Sequence, residues 1–147
     1  MPDKVIRAGA YALVTCKEHI VLVEAGQGPY KGMCNLPGGG IEFGESPKET
    51  LRRELEEETG LTIYPPPVLV DYLSQTETHP TLPNTQIHLL GYLFRIELAT
   101  QNPVKAEPDG NDSLGARWIE RSELADLNIG RFAKRGVDHW LRGADSG

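Results

Sequence analysis

Hydrophobic positions along the chain follow a strand period in some segments and a helix period in others, and the two kinds of segment interleave. Small and β-branched residues over 6–16 and an apolar run over 20–23 are separated by a short polar break, which predicts a β-hairpin. Helices are predicted over 47–59 and about 130–141. Further strands are predicted over 61–64, 68–75, 86–98 and 116–119, with 86–98 buried and central. This order predicts a mixed sheet with helices on both faces.

The predicted helix over 47–59 has clear start and stop signals. Ser46 is a favourable N-cap, Pro47 suits the first helical position, and Glu49 completes a capping box. Gly60 can adopt the left-handed conformation that ends many helices. The helix is therefore expected to begin at Pro47 and to end near Thr59.

Two faces of this helix differ in character. Leu51 and Leu55 lie on a side that can pack on a core, while Glu54, Glu57 and Glu58 fall on an adjacent stripe. Like charges at these spacings repel by roughly 0.2–0.5 kcal/mol per pair, and the negative end of the helix dipole disfavours them further. Such a stripe is either an ordinary solvated surface or part of a site for a divalent cation.

Composition and charge restrict the class of protein. The chain has 147 residues, of which 39% are hydrophobic, and this is a typical size for one domain with one core. No apolar run approaches about 18 residues and no leader-like segment is present, so we expect a cytoplasmic chain without a membrane segment. Cys16 and Cys34 lack C-x-x-C spacing and are expected to be reduced thiols.

The net charge of −6 argues against stable nucleic-acid binding, which rests on a broad basic surface. An anionic nucleotide could still bind if positive charge were supplied locally, for example by Mg²⁺. The composition therefore favours a metal-dependent phosphate enzyme over a nucleic-acid scaffold.

A longer pattern contains the acidic stripe. A glycine-rich turn at 36–40 precedes the helix, and its glycines allow a ligand or ion to approach the backbone closely. The segment 39–61 resembles the Nudix box, G-x5-E-x7-R-E-U-x-E-E-x-G-U, where U is a bulky aliphatic residue. Every fixed position is matched, by Gly39, Glu45, Arg53, Glu54, Leu55, Glu57, Glu58, Gly60 and Leu61.

The resemblance implies a fold and an activity. It implies the α/β class, as an α/β/α sandwich with a mixed β-sheet and a loop-helix-loop catalytic motif, in a single Nudix hydrolase domain over 1–147. It further implies a Mg²⁺-dependent pyrophosphohydrolase, with Mn²⁺ as a substitute ion, in which water attacks phosphorus in a nucleoside triphosphate or another nucleoside diphosphate derivative. The alternative is a non-catalytic module of the same fold that binds a nucleotide or sugar nucleotide as a sensor.

The resemblance also implies roles for individual residues. The expected metal ligands are Glu54, Glu57, Glu58 and the backbone carbonyl of Gly38. Glu54 is the first candidate for the base that takes a proton from the attacking water. Arg53 and Glu45 resemble the family's orienting pair, against the alternative of an ordinary surface salt bridge.

The resemblance further implies site residues beyond Arg53 and the glutamates of the motif. Asp112 lies in the loop before a tryptophan-bearing strand and is the first candidate for a further metal ligand or base, with Glu107 second. Contacts to the substrate are expected from Gly39, Gly40, Lys31 and Tyr30. The expected partner is a small-molecule nucleotide substrate. The sequence allows either a monomer or a homodimer.

Overall fold

The computed structural model describes residues 3–25, 32–79, 81–106 and 113–146. Its strands are β1 (Asp3–Cys16), β2 (His19–Ala25), β3 (Cys34–Asn35), β4 (Gly38–Gly40), β5 (Val68–Thr78), β6 (Thr85–Glu97) and β7 (Ser113–Glu120). Its helices are α1 (Pro47–Thr59), a 3₁₀ helix (Arg121–Asp126) and α2 (Arg131–Ser146).

The strands form one mixed sheet. Its central path runs β3-β2-β1-β6-β5, while β4 pairs with β1 and β7 pairs with β2. The long pair of β1 and β6 is parallel, and the other pairs are antiparallel. β6 therefore lies between two neighbours, as the sequence predicted for a buried central strand.

Along one edge, β1 pairs first with β4 and then with β2, and the pairing with β4 positions the glycine-rich turn. Near its end, Thr15 and Cys16 pair with β2, which confirms the predicted hairpin. Earlier, β1 pairs with β4 at Gly9, Ala10 and Tyr11. The turn before α1 is thus anchored to the middle of the sheet.

Hydrophobic cores cover both faces of the sheet. One core joins α1 to the strands through Leu51 and Leu55, which pack with Ala12, Val14 and Phe94. The other core joins α2 to the opposite face through a separate set, which includes Leu13, Leu22, Leu93, Ala133 and Val137. Because each helix buries its apolar side on its own face, the predicted α/β/α sandwich is confirmed.

The structure corrects one predicted element and extends others. The strand predicted over 61–64 is wrong, because this segment has no ladder partner. The Leu61 N–H donates to the Thr59 hydroxyl instead, and the prolines at 65–67 have no N–H to donate. β1, β5 and α2 are longer than predicted because tertiary pairing and packing continue past the local signals. Among the described residues, no helix has the length and apolar character needed to cross a bilayer.

The core under α1 provides a test of this packing. Leu55 is fully buried, whereas its neighbour Glu56 is exposed. Leu55→Ala should lower the free energy of unfolding by about 2–5 kcal/mol, because it leaves a cavity between α1 and the sheet. Glu56→Ala should change it by about 0.5 kcal/mol or less. Urea unfolding followed by circular dichroism measures both, and equal effects would contradict the described packing.

Candidate active site

Local signals at both ends of α1 fix the helix as predicted. The Glu49 N–H donates to Ser46 Oγ at 3.1 Å and the Ser46 N–H donates to Glu49 Oε1 at 3.3 Å, so the capping box is formed. At the other end, Gly60 has φ of 77° and its N–H donates to the Glu56 carbonyl. Because both ends of α1 are fixed, the acidic residues of the helix have fixed positions beside β4.

The glycines of β4 let α1 come close to the backbone. Gly38 pairs with Tyr11 and has φ of 144°, and a Cβ there would overlap the backbone of β1. A Cβ on Gly39 would lie 2.6 Å from Glu54 Oε1. Glycine is therefore required at 38 by conformation and space, whereas a side chain at 39 would displace the carboxylate of Glu54.

Arg53 joins the loop before α1 to the helix. Its Nε lies 2.9 Å from Glu45 Oε2 and its Nη2 lies 3.0 Å from Glu45 Oε1, which is a bidentate contact. Its Nη1 lies 2.9 Å from Glu54 Oε1 and 3.7 Å from Glu57 Oε2. Its Nη2 also donates to the Gly40 carbonyl at 3.4 Å. These contacts go beyond an isolated surface pair.

Glu45 is held as a carboxylate by several donors. Hydrogen bonds from Arg53, then from the Glu42 N–H and the Thr50 hydroxyl, lower the pKa of Glu45 from 4.5 to about 2. The pKa of Arg53 is raised in turn, chiefly by its bond to Glu45. Both groups are therefore charged at every pH at which the protein is expected to work.

Glu54 lies in a different environment. Only 17% of its side chain is exposed, and burial raises the pKa of this carboxyl above its ordinary value. The bond from Arg53 lowers the pKa and the charge of Glu57 raises it. Glu54 is thus a better proton acceptor than an exposed glutamate.

The other two acidic residues of the stripe, Glu57 and Glu58, differ in their surroundings. Glu58 Oε1 accepts a hydrogen bond from the Gly38 N–H at 2.8 Å, so this carboxylate faces β4. The side chain of Glu57 is 57% exposed. Within the described ranges, no three Asp, Glu, His or Cys side chains converge closely enough to enclose a metal ion.

The donors nevertheless fit an oxygen-loving divalent cation. Arg53 forms ion pairs with three carboxylates, those of Glu45, Glu54 and Glu57. One guanidinium is therefore shared among three acidic side chains. Mg²⁺ commonly binds through one or two carboxylates and completes its shell with water and substrate phosphates, which a partly open arrangement allows.

A cleft of about 370 Å³ opens beside these residues. Its walls come from the β4 glycines, from the sheet face of β5 and β6, and from the first turn of α2. Phe132 of α2 packs on Tyr11, with 4.6 Å between ring centroids. An adjoining cavity includes Gly40 and two basic side chains, Arg7 and His79. Glu58, Gly38 and Gly39 line the 370 Å³ cleft, so the acidic group and this cleft share one boundary.

Tyr11 is a residue of this boundary that the sequence analysis missed. Burial, and then the charges of Glu58 and Glu54, raise its pKa to about 12, so its hydroxyl keeps its proton. The only sequence signal was one aromatic residue inside a run of small residues. Gln75 and Glu77 also line the cleft and were missed. Glu77 lay beyond the predicted strand, which ended at 75 whereas β5 continues to Thr78, and Gln75 lay within it but reaches the cleft only through the strand register.

The remaining predicted residues are two glycines that the structure describes and four residues outside the described ranges. Gly39 lies at the boundary of the cleft, whereas Gly40 contacts Arg53 and the adjoining cavity. The other predicted residues lie outside the described part of the chain, and these are Tyr30, Lys31, Glu107 and Asp112.

Comparison with known sequences identifies similar proteins. A family model described as the NUDIX domain matches residues 4–141. The nucleoside triphosphatase NudI of Escherichia coli (strain SE11) is 32% identical over 127 residues, which cover 82% of this chain and 82% of that protein. The ADP-ribose pyrophosphatase of Methanocaldococcus jannaschii is 48% identical over 42 residues, but the match spans only 29% of this chain and 25% of that protein.

Comparison with solved structures supports the fold. A MutT NUDIX hydrolase from Burkholderia pseudomallei superposes with a TM-score of 0.72 at 21% identity, over 90% of this chain and 96% of that chain. The NUDIX domain of Shewanella oneidensis NrtR, solved in complex with ADP ribose, gives 0.77 at 13% identity, over 98% and 90%. At these identities the likeness establishes the architecture.

The Arg53 contacts predict a specific response to acid. The lowered pKa of Glu45 stabilises the folded state above about pH 4.5, and this contribution is lost as the pH falls towards 2. Arg53→Gln should therefore be less stable than the native protein at neutral pH, with a difference that shrinks between pH 4.5 and 2. Thermal unfolding across this pH range measures the difference.

Arg52 provides the matched control, because it is exposed and adjacent in sequence. Arg52→Gln should show a small difference from the native protein with little dependence on pH in the same range. A constant difference for Arg53→Gln would show that the Arg53 contacts do not control the ionisation of Glu45.

Proposed function

Since the chain belongs to the Nudix hydrolase family, we propose that it is a Mg²⁺-dependent pyrophosphohydrolase that cleaves the diphosphate linkage of a nucleotide. The predicted family and enzyme class are confirmed by the family match and by the relatives. The observation that supports the proposal most directly is the acidic group of α1, which adjoins a ligand-sized cleft and in which Glu54 and Glu57 share one cation, Arg53.

The proposed metal ligands are those implied by the motif. Glu54, Glu57 and Glu58 would hold the ion, with the Gly38 carbonyl as a further oxygen. When bound, Mg²⁺ or Mn²⁺ supplies positive charge that stabilises the negative oxygens of the diphosphate. Because every proposed ligand is an oxygen atom, a hard cation fits this set better than one that prefers thiolate or imidazole.

The proposed chemistry places a proton acceptor beside the scissile bond. Glu54 takes a proton from water while the water oxygen forms a bond to phosphorus, and the bridging P–O bond breaks with its electrons on the leaving phosphate. The burial that raises the pKa of Glu54 supports this role. Glu107 and Asp112 remain alternative bases, and Asp112 an additional ligand.

Arg53 and Glu45 are proposed to orient the site. Arg53 contacts both oxygens of Glu45 and one oxygen of Glu54, so the position of the base depends on the loop before α1. Gly39 leaves the space that Glu54 occupies. An error of about 1 Å in such positioning can cost on the order of 10²-fold in rate.

The substrate remains a nucleoside triphosphate or another nucleoside diphosphate derivative. The two named relatives are a nucleoside triphosphatase and an ADP-ribose pyrophosphatase, which are proteins of these two kinds. Gly39, Gly40, Tyr30 and Lys31 are retained as proposed substrate contacts. We also propose that residues 1–147 form a single domain and that the protein is cytoplasmic. Stable nucleic-acid binding is not part of the proposed function, and a homodimer is retained as an alternative to a monomer.

Charge-neutral variants of α1 test the metal ligands. Glu57→Gln and Glu58→Gln should each lower turnover on the order of 10²-fold, because a lost ligand weakens the charge stabilisation of the transition state. Glu56→Gln is the matched control, since Glu56 is exposed on the same helix and is not a fixed position of the motif. Release of phosphate and pyrophosphate from a nucleotide panel measures the effect.

The same assay with Mg²⁺, with Mn²⁺ and with a chelator tests the ion. Activity should require one of the two metals and disappear with the chelator. Native turnover in Glu57→Gln and Glu58→Gln would refute their assignment as ligands. Tight nucleotide binding without hydrolysis at any metal concentration would favour the sensor alternative.

A further inference from the structure

A buried polar atom in the wall of the cleft has no hydrogen-bond partner within the described part of the chain. Gln75 of β5 is only 7% exposed, and its side-chain Oε1 accepts no hydrogen bond from the residues that the structure describes. Buried side-chain oxygens in native proteins nearly always have a partner in the protein or in ordered water, so an unpaired oxygen that borders a cleft is available to a ligand. The terminal torsion of glutamine is broad, and the carboxamide can turn towards a donor in the cleft.

The position of Gln75 follows from the strand register. Leu73, Gln75 and Glu77 alternate with exposed residues, so they share the sheet face that α2 covers. Gln75 pairs with Leu89 of β6, which also lines the cleft. The amide therefore lies on the same wall as the apolar Leu89.

The opposite wall is the first turn of α2, a helix of 16 residues. Its Phe132 ring lies so close to Gly91 that a Cβ there would meet the ring. The first backbone N–H groups of a helix have no partner within the helix and attract ligand acceptor atoms. The cleft thus offers an apolar surface, a buried acceptor and a helix N-terminus that can donate.

This chemistry suits the base of a nucleotide better than its phosphates. The cleft is of ligand size, and its apolar surface suits a planar ring. Two carboxylates, those of Glu24 and Glu77, and one guanidinium, that of Arg131, also line it, and the negative charge that remains disfavours an anionic group there. If the diphosphate lies beside Glu58, as the proposed function requires, the nucleoside can extend into this cleft.

We infer that Gln75 selects the nucleobase by accepting a hydrogen bond from its exocyclic amino group. A base without such a group would leave the buried oxygen unpaired, which is the basis of strong discrimination in polar sites. The inference rests on the proposed function, because it assumes that the ligand is a nucleotide.

Paired ligands that differ in the amino group test this inference on the native protein. The pairs are adenosine and purine riboside 5′-monophosphates, guanosine and inosine 5′-monophosphates, and cytidine and pyrimidin-2-one riboside 5′-monophosphates. Calorimetry without divalent metal gives each Kd independently of hydrolysis. In at least one pair, the amino-bearing member should bind on the order of tenfold more tightly, as for amide contacts to amino-bearing bases.

Variants then assign the preference to one residue. Gln75→Leu should make the members of the preferred pair bind alike. Gln86→Leu should preserve the difference, because Gln86 is exposed and alternates to the other face of neighbouring β6. Thermal unfolding checks that each variant is folded, and the native comparison decides the matter if Gln75→Leu does not fold.

Equal binding within all three pairs, no detectable binding of any monophosphate, or a preference that survives in Gln75→Leu would overturn the inference. Hydrolysis by the native protein is measured separately with the corresponding triphosphates. An amino preference without hydrolysis would retain the role of Gln75 and refute the proposed activity. Hydrolysis without an amino preference would support the proposed activity and refute the role of Gln75.

Discussion

The bidentate contact between Arg53 and Glu45 is the interaction on which the arrangement of the site depends. A guanidinium is planar and permanently charged, so it can hold both oxygens of Glu45 and still reach Glu54. Lysine offers a single point of attachment and cannot reproduce this geometry. Glu45 is itself held by the Glu42 N–H and the Thr50 hydroxyl, so the contact fixes the loop as well as the helix.

The acidic stripe is unfavourable for α1 as an isolated helix. Its last turn contains no basic residue, although the helix dipole favours positive charge there. The core contact of Leu51 and Leu55 outweighs this cost, because burying one leucine contributes about 1.5–3 kcal/mol whereas each like-charge pair costs about 0.2–0.5 kcal/mol. The buried side therefore provides the stability that allows negative charge to accumulate beside the cleft.

Features encoded by neighbouring residues could be predicted from the sequence. Both ends of α1 follow from Ser46 and Gly60, and the spacing of the acidic residues gave their common stripe and the family. The prediction over 61–64 failed because short apolar segments are ambiguous, and the hydroxyl of Thr59 competes for the backbone N–H of Leu61. Local strand propensity does not indicate that the Thr59 hydroxyl will accept this hydrogen bond.

Other features depend on pairing between distant segments. The parallel pairing of β1 with β6 and the antiparallel pairing of β5 bring Arg7 and Gln75 to either side of Leu89. No local pattern gives this register, so Gln75 could not be placed in the cleft from the sequence. The acidic motif is contiguous and carries the proposed chemistry, whereas the surface that meets the rest of the substrate is assembled from separate strands. Sequence reasoning therefore identifies the reaction class more readily than the ligand it acts on.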